Sequence, residues 1–311
     1  MSVDFKRVRS LFGESLFDAI YSCQRRAASS SSSKRWVQRK TSDVYFRDAK
    51  VKGLRSRAAF KLLEIHQNHK IFKPGQTVVD LGFAPGSWTQ VAVDRTRPNG
   101  RVIGIDLLPA APPKGASAIQ GDFLSPQIQA IIKDYLCEPD LGRPTDERED
   151  TVDENGMRLG YIDIERAIDR TPSPSTSSAQ SAADTVDVVL SDMSEPWPPI
   201  FSFWSFTLSQ PFFRLMNTSG ITFRDHATSM DLVNSALAFA LDTLRPGGAF
   251  ICKFYAGAED AFFERKLRKV FDRVKREKPA ASRSESKEQY FVCNGRKASV
   301  SKQDLYGDLY D

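Results

Sequence analysis

The sequence contains few cysteines and histidines, and none of them has the spacing of a metal-binding site. Its four cysteines are Cys23, Cys137, Cys252 and Cys293, and the whole chain holds three histidines. No Cys-x-x-Cys pair and no cysteine and histidine at ligand spacing occur, which excludes a zinc-binding module and a disulfide framework. We therefore expect no metal site, and a reducing compartment is the default expectation for these thiols.

Long apolar runs are also missing. Residues 200–206 form an apolar, aromatic run that is too short to cross a bilayer, so we predict no membrane span.

With 311 residues, 41% of them hydrophobic, the chain can bury a full core. Its mean hydropathy of -0.39 indicates polar segments outside that core, so we expect one catalytic domain with appendages. The net charge of +5 fits a polyanionic partner but does not decide the question.

The segment around which the chain is organised is residues 78–88, which read VVDLGFAPGSW. An apolar run, a glycine and proline break and a helical pattern predict a buried strand, a tight loop and a helix start. Gly82 and Gly86 allow the backbone to turn sharply beside a ligand, and the free N–H groups of the helix start attract an anionic group. The segment has neither the Gly-Lys-Ser/Thr of a P-loop nor a Gly-x-Gly-x-x-Gly fingerprint. We therefore expect it to bind S-adenosylmethionine through the carboxylate of that cofactor. A turn without a ligand is the alternative.

Strand-like and helical patterns alternate along most of the chain. Strands are expected at residues 76–82, 101–107, 116–120, 186–192, 249–254, 275–279 and 289–294, and helices at residues 54–66, 87–95, 127–135, 230–244 and 261–274. This alternation predicts an α/β fold with a parallel sheet and right-handed crossovers. In open sheets of this kind, ligands bind at the carboxyl ends of the strands.

Acidic residues stand at the ends of three of these strands. Asp106 closes the second strand, roughly 20 residues after the glycines, where open α/β sheets place an acid that binds ribose hydroxyls. Asp122 follows the third strand, and we expect it to accept a hydrogen bond from an adenine amino group. Asp187 opens the fourth strand, and we expect its carboxylate to be solvated.

Four further side chains are distant in sequence but suited to catalysis. They are Lys61, Asp192, Lys253 and Glu288. Asp192 and Lys253 end strands that we expect to be neighbours, so both should lie at the same rim of the sheet. Each of the four, taken alone, is more often a solvated surface residue. As a set beside a methyl-donor loop, they indicate a reaction site.

Several segments differ from the domain in composition. Residues 1–40 are rich in arginine and serine, poor in acids and amphipathic, which predicts a mitochondrial transit peptide, with a disordered basic RNA-binding arm as the alternative. Residues 137–185 are acidic and serine-rich, which predicts a disordered surface insertion. Residues 193–228 are predicted to be a second, aromatic insertion. Its aromatic residues are expected either to form a lid or wall of the substrate groove and stack on bases, or to pack this second insertion onto the domain. Residues 297–311 are expected to be a flexible tail, which leaves residues 41–296 for the catalytic domain.

Short motifs occur in a fixed order along this domain. They are residues 55–62 (RSRAAFKL), 72–75 (FKPG), 78–88, 106–109 (DLLP), 121–123 (GDF), 190–193 (LSDM), 245–248 (RPGG), 282–283 (SR) and 286–288 (SKE). In this order they resemble the FtsJ (RrmJ) family of RNA ribose 2′-O-methyltransferases. Residues 217–220 (NTSG) and 223–227 (FRDHA) resemble the mitochondrial branch of that family, which modifies a uridine of large-subunit ribosomal RNA.

The resemblance implies a fold, a catalytic set and a cofactor site. The fold is a Rossmann-like S-adenosylmethionine-dependent methyltransferase fold, a mostly parallel seven-stranded sheet with helices on both faces. The family's catalytic Lys-Asp-Lys-Glu set falls on Lys61, Asp192, Lys253 and Glu288. The implied cofactor contacts are Gly82, Pro85, Gly86, Trp88, Asp106, Asp122 and Asp192. The family often has alanine where Phe83 stands and glycine where Ser87 stands, so Phe83 is expected to narrow the cofactor loop.

The chemistry requires alignment of two groups and removal of a proton. A ribose 2′-hydroxyl is a weak nucleophile, and the methyl group leaves a positively charged sulfonium by in-line displacement. We expect Lys253 to be the proton acceptor. Burial and Lys61 would lower its pKa, whereas Asp192 and Glu288 would raise it, and the sequence leaves the balance open. A charged Lys253 would instead position the hydroxyl and stabilise developing negative charge.

The combined expectation is 2′-O-methylation of a uridine in mitochondrial large-subunit ribosomal RNA. The protein is expected to be a monomer in the mitochondrial matrix and to support assembly of the large subunit. The same reaction on transfer RNA or a messenger-RNA cap is one alternative, and an assembly factor whose methylation is incidental is another. Arg55, Arg57 and Lys73 are expected to contact RNA phosphates.

Overall fold

The computed structural model describes residues 43–138, 141–143, 183–196 and 217–307. The predicted N-terminal arm and most of the two predicted insertions lie outside the described residues. The chain divides into two compact units, residues 1–52 and 53–311. The described part of the first unit is one helix, α1 (Val44–Val51), which Asp43 caps by accepting a hydrogen bond from the backbone N–H of Phe46. The second unit, which holds the sheet, begins after the expected domain start at residue 41.

The second unit alternates strands and helices as the sequence predicts. The strands are β1 (Thr77–Leu81), β2 (Arg101–Asp106), β3 (Ser117–Gln120), β4 (Val186–Ser191), β5 (Leu244–Tyr255), β6 (Phe271–Glu277) and β7 (Glu288–Arg296). The helices are α2 (Ala58–His69), α3 (Ser87–Thr96), α4 (Pro126–Cys137), α5 (Thr222–Thr243), α6 (Asp260–Val270) and α7 (Lys302–Tyr306). In the described part of the chain, no helix is both long and apolar enough to cross a membrane.

The strands form one seven-stranded sheet in the order β3-β2-β1-β4-β5-β7-β6. Every pair from β3 to β5 is parallel, and β7 runs antiparallel to both of its neighbours. The chain first proceeds outward from β1 to β3 and then returns to β4 on the other side of β1. This reversal creates a crevice at the carboxyl ends of β1 and β4, where open α/β sheets bind ligands. The predicted mostly parallel, seven-stranded sheet is confirmed.

Alternate strand residues bury the two faces of the sheet against different helices. Val78 and Val188 pack with the apolar residues of α2 and α3 in one core. Their chain neighbours Val79 and Val189 pack with α4, α5 and α6 in a second core on the opposite face. Because successive strand side chains point to opposite faces, a strand covered on both sides is apolar throughout. Helices therefore cover both faces, as predicted.

Several element boundaries differ from the sequence prediction by a few residues, and two of these differences change the assignment of a segment. Helix α5 begins at Thr222, so the last residues of the predicted aromatic insertion form its first turns. Helix α6 ends at Val270, and the next residues form β6 instead of extending the helix. Phe271 and Val274 are buried, and their spacing of three is that of one helix face, which is why the sequence suggests a longer helix. Hydrogen bonding with β7 decides in favour of the strand.

The structure also corrects the predictions for Asp187 and for part of the C-terminal tail. Asp187 is buried, not solvated, because its carboxylate accepts from the backbone N–H of Thr77 at 2.7 Å and pairs with Arg245 at 2.5 Å. The predicted flexible tail is wrong for residues 301–306. Ser301 and Asp304 form a capping box that begins α7, and the buried Tyr306 ends this helix.

Candidate active site

The four predicted catalytic side chains meet at the carboxyl edge of the sheet. Asp192 directly follows β4, and Lys253 lies near the end of the parallel neighbour β5. Strand β7 runs back from the same edge, so its first residue, Glu288, starts there. Lys61 reaches this edge from α2, which packs on the same face of the sheet. Topology therefore brings together four residues that span more than 200 positions of sequence.

A hydrogen-bond network joins the four through a fifth side chain, Tyr290. The Nζ atom of Lys61 lies 2.5 Å from Oε1 of Glu288 and donates to the Tyr290 hydroxyl at 3.3 Å. That hydroxyl lies 2.9 Å from Glu288 Oε1 and 3.4 Å from Asp192 Oδ1. Ser282 also donates to Glu288 Oε1, at 3.1 Å. Tyr290 thus connects the Lys61 and Glu288 pair to Asp192.

Tyr290 is not among the site residues expected from the sequence, although its spacing from Glu288 pointed to it. Tyr290 follows Glu288 by two residues on one strand, so both side chains point to the same face of the sheet. It also lies directly opposite Lys253 in the β5 and β7 ladder. A tyrosine in a strand is typical of a buried core position, and its ring does pack beside Trp88 with a centroid separation of 5.5 Å. Its hydroxyl, however, faces the four predicted catalytic residues.

Lys253 is almost fully buried and is held by Asp192. Its Nζ atom donates to the backbone oxygen of Asp192 at 2.7 Å and lies 3.2 Å from the carboxylate oxygen Oδ1. Burial by itself lowers the pKa of Lys253, but the Asp192 carboxylate, Tyr255 and Glu288 outweigh it, so the net pKa is raised. The balance that the sequence left open therefore favours the charged form of Lys253 at neutral pH.

The pKa values of Glu288 and Tyr290 are also shifted by their neighbours in the site. Burial by itself raises the pKa of Glu288. The positive charges of Lys61 and Lys253 lower it by more than burial raises it, so the net pKa lies below the usual value. Burial and the two carboxylates of the site raise the pKa of Tyr290 well above its usual value, so its hydroxyl keeps its proton. At neutral pH the site therefore holds Lys253 as an ammonium, Glu288 as a carboxylate and Tyr290 as a neutral hydroxyl.

The predicted cofactor loop lies beside these residues, and its first glycine is required by close packing. Gly82 has φ +76°, and a Cβ atom there would lie 2.7 Å from Cγ and 2.9 Å from Cα of Met193. Met193 directly follows Asp192 in the chain. The absence of a side chain at Gly82 thus allows the loop after β1 and the segment after β4 to approach each other.

Phe83 does not narrow this loop as expected. Its side chain is buried and packs over Gly104 of β2, where a Cβ atom would lie 2.6 Å from Cγ of Phe83. The missing side chain at Gly104 therefore makes room for the larger residue at position 83. The departure from the family pattern is accommodated inside the protein, away from the loop backbone.

The predicted acids stand at the rim in suitable positions. Asp106 accepts hydrogen bonds from the backbone N–H groups of Ala84 and Leu108, both at 2.8 Å, and so joins the loops after β1 and β2. Burial raises the pKa of Asp106. Asp122 is exposed after β3, where one carboxylate oxygen accepts from the backbone N–H of Leu124 at 2.9 Å. A carboxylate has room for further donors, so both residues retain capacity for a ligand.

Trp88 lies in the first turn of α3, but its indole ring faces the core. The ring is 2% exposed, and its N–H donates to the backbone oxygen of Ala58 at 3.0 Å. A ligand contact at Trp88 would therefore use its backbone N–H. Gly86, at the N-cap position of α3, has φ +96° and no side-chain cap. Pro85 is exposed beside it. The helix start thus presents N–H groups to an anion.

The floor of the loop is acidic. Asp80 of β1 is fully buried; its Oδ2 atom accepts from the Thr89 hydroxyl at 2.6 Å, and no described residue donates to its Oδ1 atom. Burial, with smaller contributions from the charges of Asp192 and Asp106, raises the pKa of Asp80 to about 7. S-adenosylmethionine carries an ammonium and a sulfonium as well as a carboxylate. The carboxyl groups of Asp80, Asp106 and Asp192 suit the cationic groups of this cofactor, and the N–H groups at the start of α3 suit its carboxylate.

The described residues of the candidate site contain no set of metal ligands. Among residues 43–138, 141–143, 183–196 and 217–307, no cluster of histidine, cysteine and acidic side chains has the arrangement to hold a metal ion. Cys252 and Cys293 are buried, and burial raises the pKa of both thiols, so these cysteines are not reactive nucleophiles.

Comparison with known proteins agrees with this geometry. The FtsJ-like methyltransferase family matches residues 54–296. The chain is 36% identical to the mitochondrial rRNA methyltransferase 2 of Saccharomyces cerevisiae, over 99% of this chain and 100% of the relative. It is 35% identical to the Schizosaccharomyces pombe protein of the same name, covering 84% and 95% of the two chains. It is also 35% identical to the ribosomal RNA large subunit methyltransferase E of Thiobacillus denitrificans, covering 83% and 87%. The chain belongs to the FtsJ-like methyltransferase family.

Proposed function

We propose that this protein methylates a ribose 2′-hydroxyl of large-subunit ribosomal RNA with S-adenosylmethionine as the donor. The observation that carries the proposal is the convergence of Lys61, Asp192, Lys253 and Glu288 beside the loop at residues 82–88. The bound cofactor would supply a methyl group on a positively charged sulfonium. The residues that would hold the cofactor are Gly82, Pro85, Gly86, Trp88 through its backbone, Asp106, Asp122 and Asp192.

Lys253 would act on the ribose hydroxyl. A charged Lys253 can donate a hydrogen bond to the 2′-oxygen and hold it in line for displacement, which lowers the entropic cost of the reaction. For Lys253 to accept the hydroxyl proton, its ammonium must first lose one, and Asp192 and Glu288 oppose that loss. Positive charge brought in by the cofactor opposes the effect of these carboxylates and favours the neutral amine. Lys61 would hold Glu288 and Tyr290 in place.

The substrate and compartment are proposed from the relatives and the N-terminal composition. Two relatives are named mitochondrial rRNA methyltransferase 2, and a bacterial relative is named for the large ribosomal subunit. Residues 1–40 have the composition of a transit peptide. We therefore propose that the protein acts in the mitochondrial matrix, where it modifies a uridine of large-subunit ribosomal RNA and thereby supports assembly of that subunit.

The test is transfer of labelled methyl from S-adenosylmethionine to mitochondrial large-subunit RNA, naked and in the subunit, with mapping of the product. A single 2′-O-methyluridine in that RNA is the expected result. Transfer to transfer RNA or messenger-RNA caps instead would retain the chemistry and reject the substrate. No transfer to any RNA by an enzyme that binds the cofactor would favour an assembly factor whose methylation is incidental.

A further inference from the structure

Arg55 lies just before α2, and its guanidinium contacts the backbone of two loops. Its Nη1 atom donates to the backbone oxygens of Pro85 at 2.7 Å and Ala111 at 2.5 Å. Its Nη2 atom donates to the backbone oxygen of Pro112 at 3.0 Å. Pro85 belongs to the loop after β1, and Ala111 and Pro112 belong to the loop after β2. One side chain therefore joins the two loops that flank the proposed cofactor site.

Neighbouring contacts attach the same segment to the start of α3. The backbone N–H of Arg55 donates to Oε1 of Gln90 at 3.1 Å, and Nε2 of Gln90 donates to the backbone oxygen of Gly53 at 3.0 Å. The hydroxyls of Ser56 and Ser87 lie 2.7 Å apart. These bonds fix residues 53–56 to the helix start that would receive the cofactor carboxylate.

Close packing explains why this arrangement needs Gly86. A Cβ atom at Gly86 would lie 2.9 Å from Nη1 of Arg55. The guanidinium thus occupies space next to the loop backbone that any other residue at position 86 would fill. These contacts differ from the phosphate contact that the sequence suggests for Arg55, because three of its donors already serve carbonyl oxygens. The guanidinium of Arg57 likewise donates inside the protein, to the backbone oxygen of Ala281.

We propose that Arg55 is a positioning residue that holds the cofactor loops in their binding conformation. The inference rests on the proposed function, because it assumes that these loops bind S-adenosylmethionine. Loops that are ordered before binding spare the ligand the entropic cost of ordering them. A lysine at position 55 retains the charge but lacks the planar fork that reaches three carbonyl oxygens. Its charge would still serve a phosphate contact.

The test compares Arg55→Lys, Arg55→Ala and the control Arg273→Ala with the full-length wild-type protein. Arg273 is an exposed arginine on the edge strand β6, so its removal changes the charge equally without touching the loops. Calorimetric titration with S-adenosylmethionine should give a Kd about ten-fold higher for both Arg55 variants and an unchanged Kd for the control. In steady state, KM for the cofactor should rise while kcat at saturating cofactor stays within about two-fold.

RNA binding separates this role from a phosphate contact. The salt dependence of RNA affinity should be the same for Arg55→Ala and wild type, since one phosphate contact contributes about one unit to the slope. Amide hydrogen exchange should become faster at residues 84–90 and 108–113 in Arg55→Ala. An unchanged cofactor Kd, or a smaller salt slope, would overturn the proposal. Failure of the wild-type protein to bind the cofactor would instead reject the proposed function itself.

Discussion

Asp192 holds Lys253 through two different groups, its backbone oxygen at 2.7 Å and its carboxylate at 3.2 Å from the lysine Nζ atom. The carbonyl fixes the position of the ammonium, and the carboxylate stabilises its charge. The first contact depends on where the chain runs after β4, and the second depends on the side chain alone. Substitutions can therefore separate the position of Lys253 from its protonation.

The first prediction concerns pH. If Lys253 must lose its proton before methyl transfer, the single-turnover rate should rise with pH through the pKa of Lys253. Asp192→Asn removes the largest contribution that raises this pKa, so the midpoint of the rise should move to lower pH by about one unit or more. Because the pKa of Lys253 is raised above its usual value, the wild-type midpoint lies above about pH 10. The measurement is therefore the single-turnover rate at saturating cofactor from about pH 6 to about pH 11, and the two midpoints are compared through the displacement of the rising limbs.

The control for this experiment is Asp94→Asn, since the side chain of Asp94 is 55% exposed on α3. That variant should keep the wild-type midpoint. An Asp192→Asn enzyme with a slower rate but the same midpoint would mean that Lys253 acts in its charged form throughout. Lys253 would then position the hydroxyl without accepting its proton.

The second prediction concerns the Tyr290 hydroxyl. Tyr290→Phe keeps the ring that packs beside Trp88 and removes the group that joins Lys61, Glu288 and Asp192. We expect kcat to fall about ten-fold, which is the effect of losing about one net hydrogen bond. The melting temperature should change little. Tyr290→Leu also removes the ring and should lower the free energy of unfolding by several kcal/mol, roughly the cost of other large losses from a core. Full activity of Tyr290→Phe would reject a role for the network.

The third prediction compares two glycines with nearly the same backbone conformation. Gly82 has φ +76° and Gly75 has φ +77°, but a Cβ atom at Gly82 would collide with Met193, whereas a Cβ atom at Gly75 would meet nothing within 4 Å. Both alanine variants should lose about 1 to 2 kcal/mol of stability from backbone strain. Only Gly82→Ala should also lose methyl transfer, because moving Met193 shifts the Asp192 carbonyl that holds Lys253. Equal kcat in the two variants would contradict this coupling.

The fourth prediction concerns the two insertions. Arg143 donates to the backbone oxygen of Asn99 at 2.6 Å, and Asp184 pairs with Arg296 at 3.0 Å. Asn99 precedes β2 and Arg296 ends the antiparallel β7, so both flanks of residues 144–182 lie at the sheet edge opposite the site. Replacing those residues by a short glycine and serine linker should leave kcat on naked RNA unchanged.

Deletion of residues 197–216 is the matching experiment, because the residue that follows them, Asn217, lies at the edge of the sheet that holds the candidate site. The backbone oxygen of Asn217 accepts from the Tyr255 hydroxyl at 3.3 Å, and Tyr255 pairs with Glu288 in the sheet. Removal of residues 197–216 should therefore weaken RNA methylation while cofactor binding stays intact. If that deletion has no effect on RNA methylation, these aromatics do not line the substrate groove. If the deletion of residues 144–182 abolishes activity, these residues are needed for methylation even though both of their flanks lie at the opposite edge of the sheet.

The sequence predicts that the candidate side chains meet at one edge of the sheet, because parallel strands place their carboxyl ends together. Asp192 and Lys253 can be assigned to one rim from strand order alone, and strand pairing then places Glu288 beside them. Asp187 could not be assigned in the same way. Its burial depends on partners from β1 and from the start of β5, which no local pattern at the start of β4 reveals.

The hydrogen-bond partners of a side chain such as Arg55 also cannot be predicted from the sequence. Arg55 sits in a basic motif and therefore suggests a phosphate contact, but its acceptors are backbone oxygens from two loops distant in sequence. Backbone oxygens leave no trace in a residue pattern. The balance of burial and carboxylates around Lys253 likewise depends on distances, so the sequence could name the opposing effects but not their sum.

The most direct test of the account is single-turnover methyl transfer to large-subunit ribosomal RNA by Lys253→Ala, with cofactor affinity measured on the same preparation. We expect transfer to fall by at least about a hundred-fold, as for loss of a group that acts on the reacting proton, with the cofactor Kd nearly unchanged. A Lys253→Ala enzyme that transfers methyl at the wild-type rate would contradict the assignment of this site as the catalytic centre.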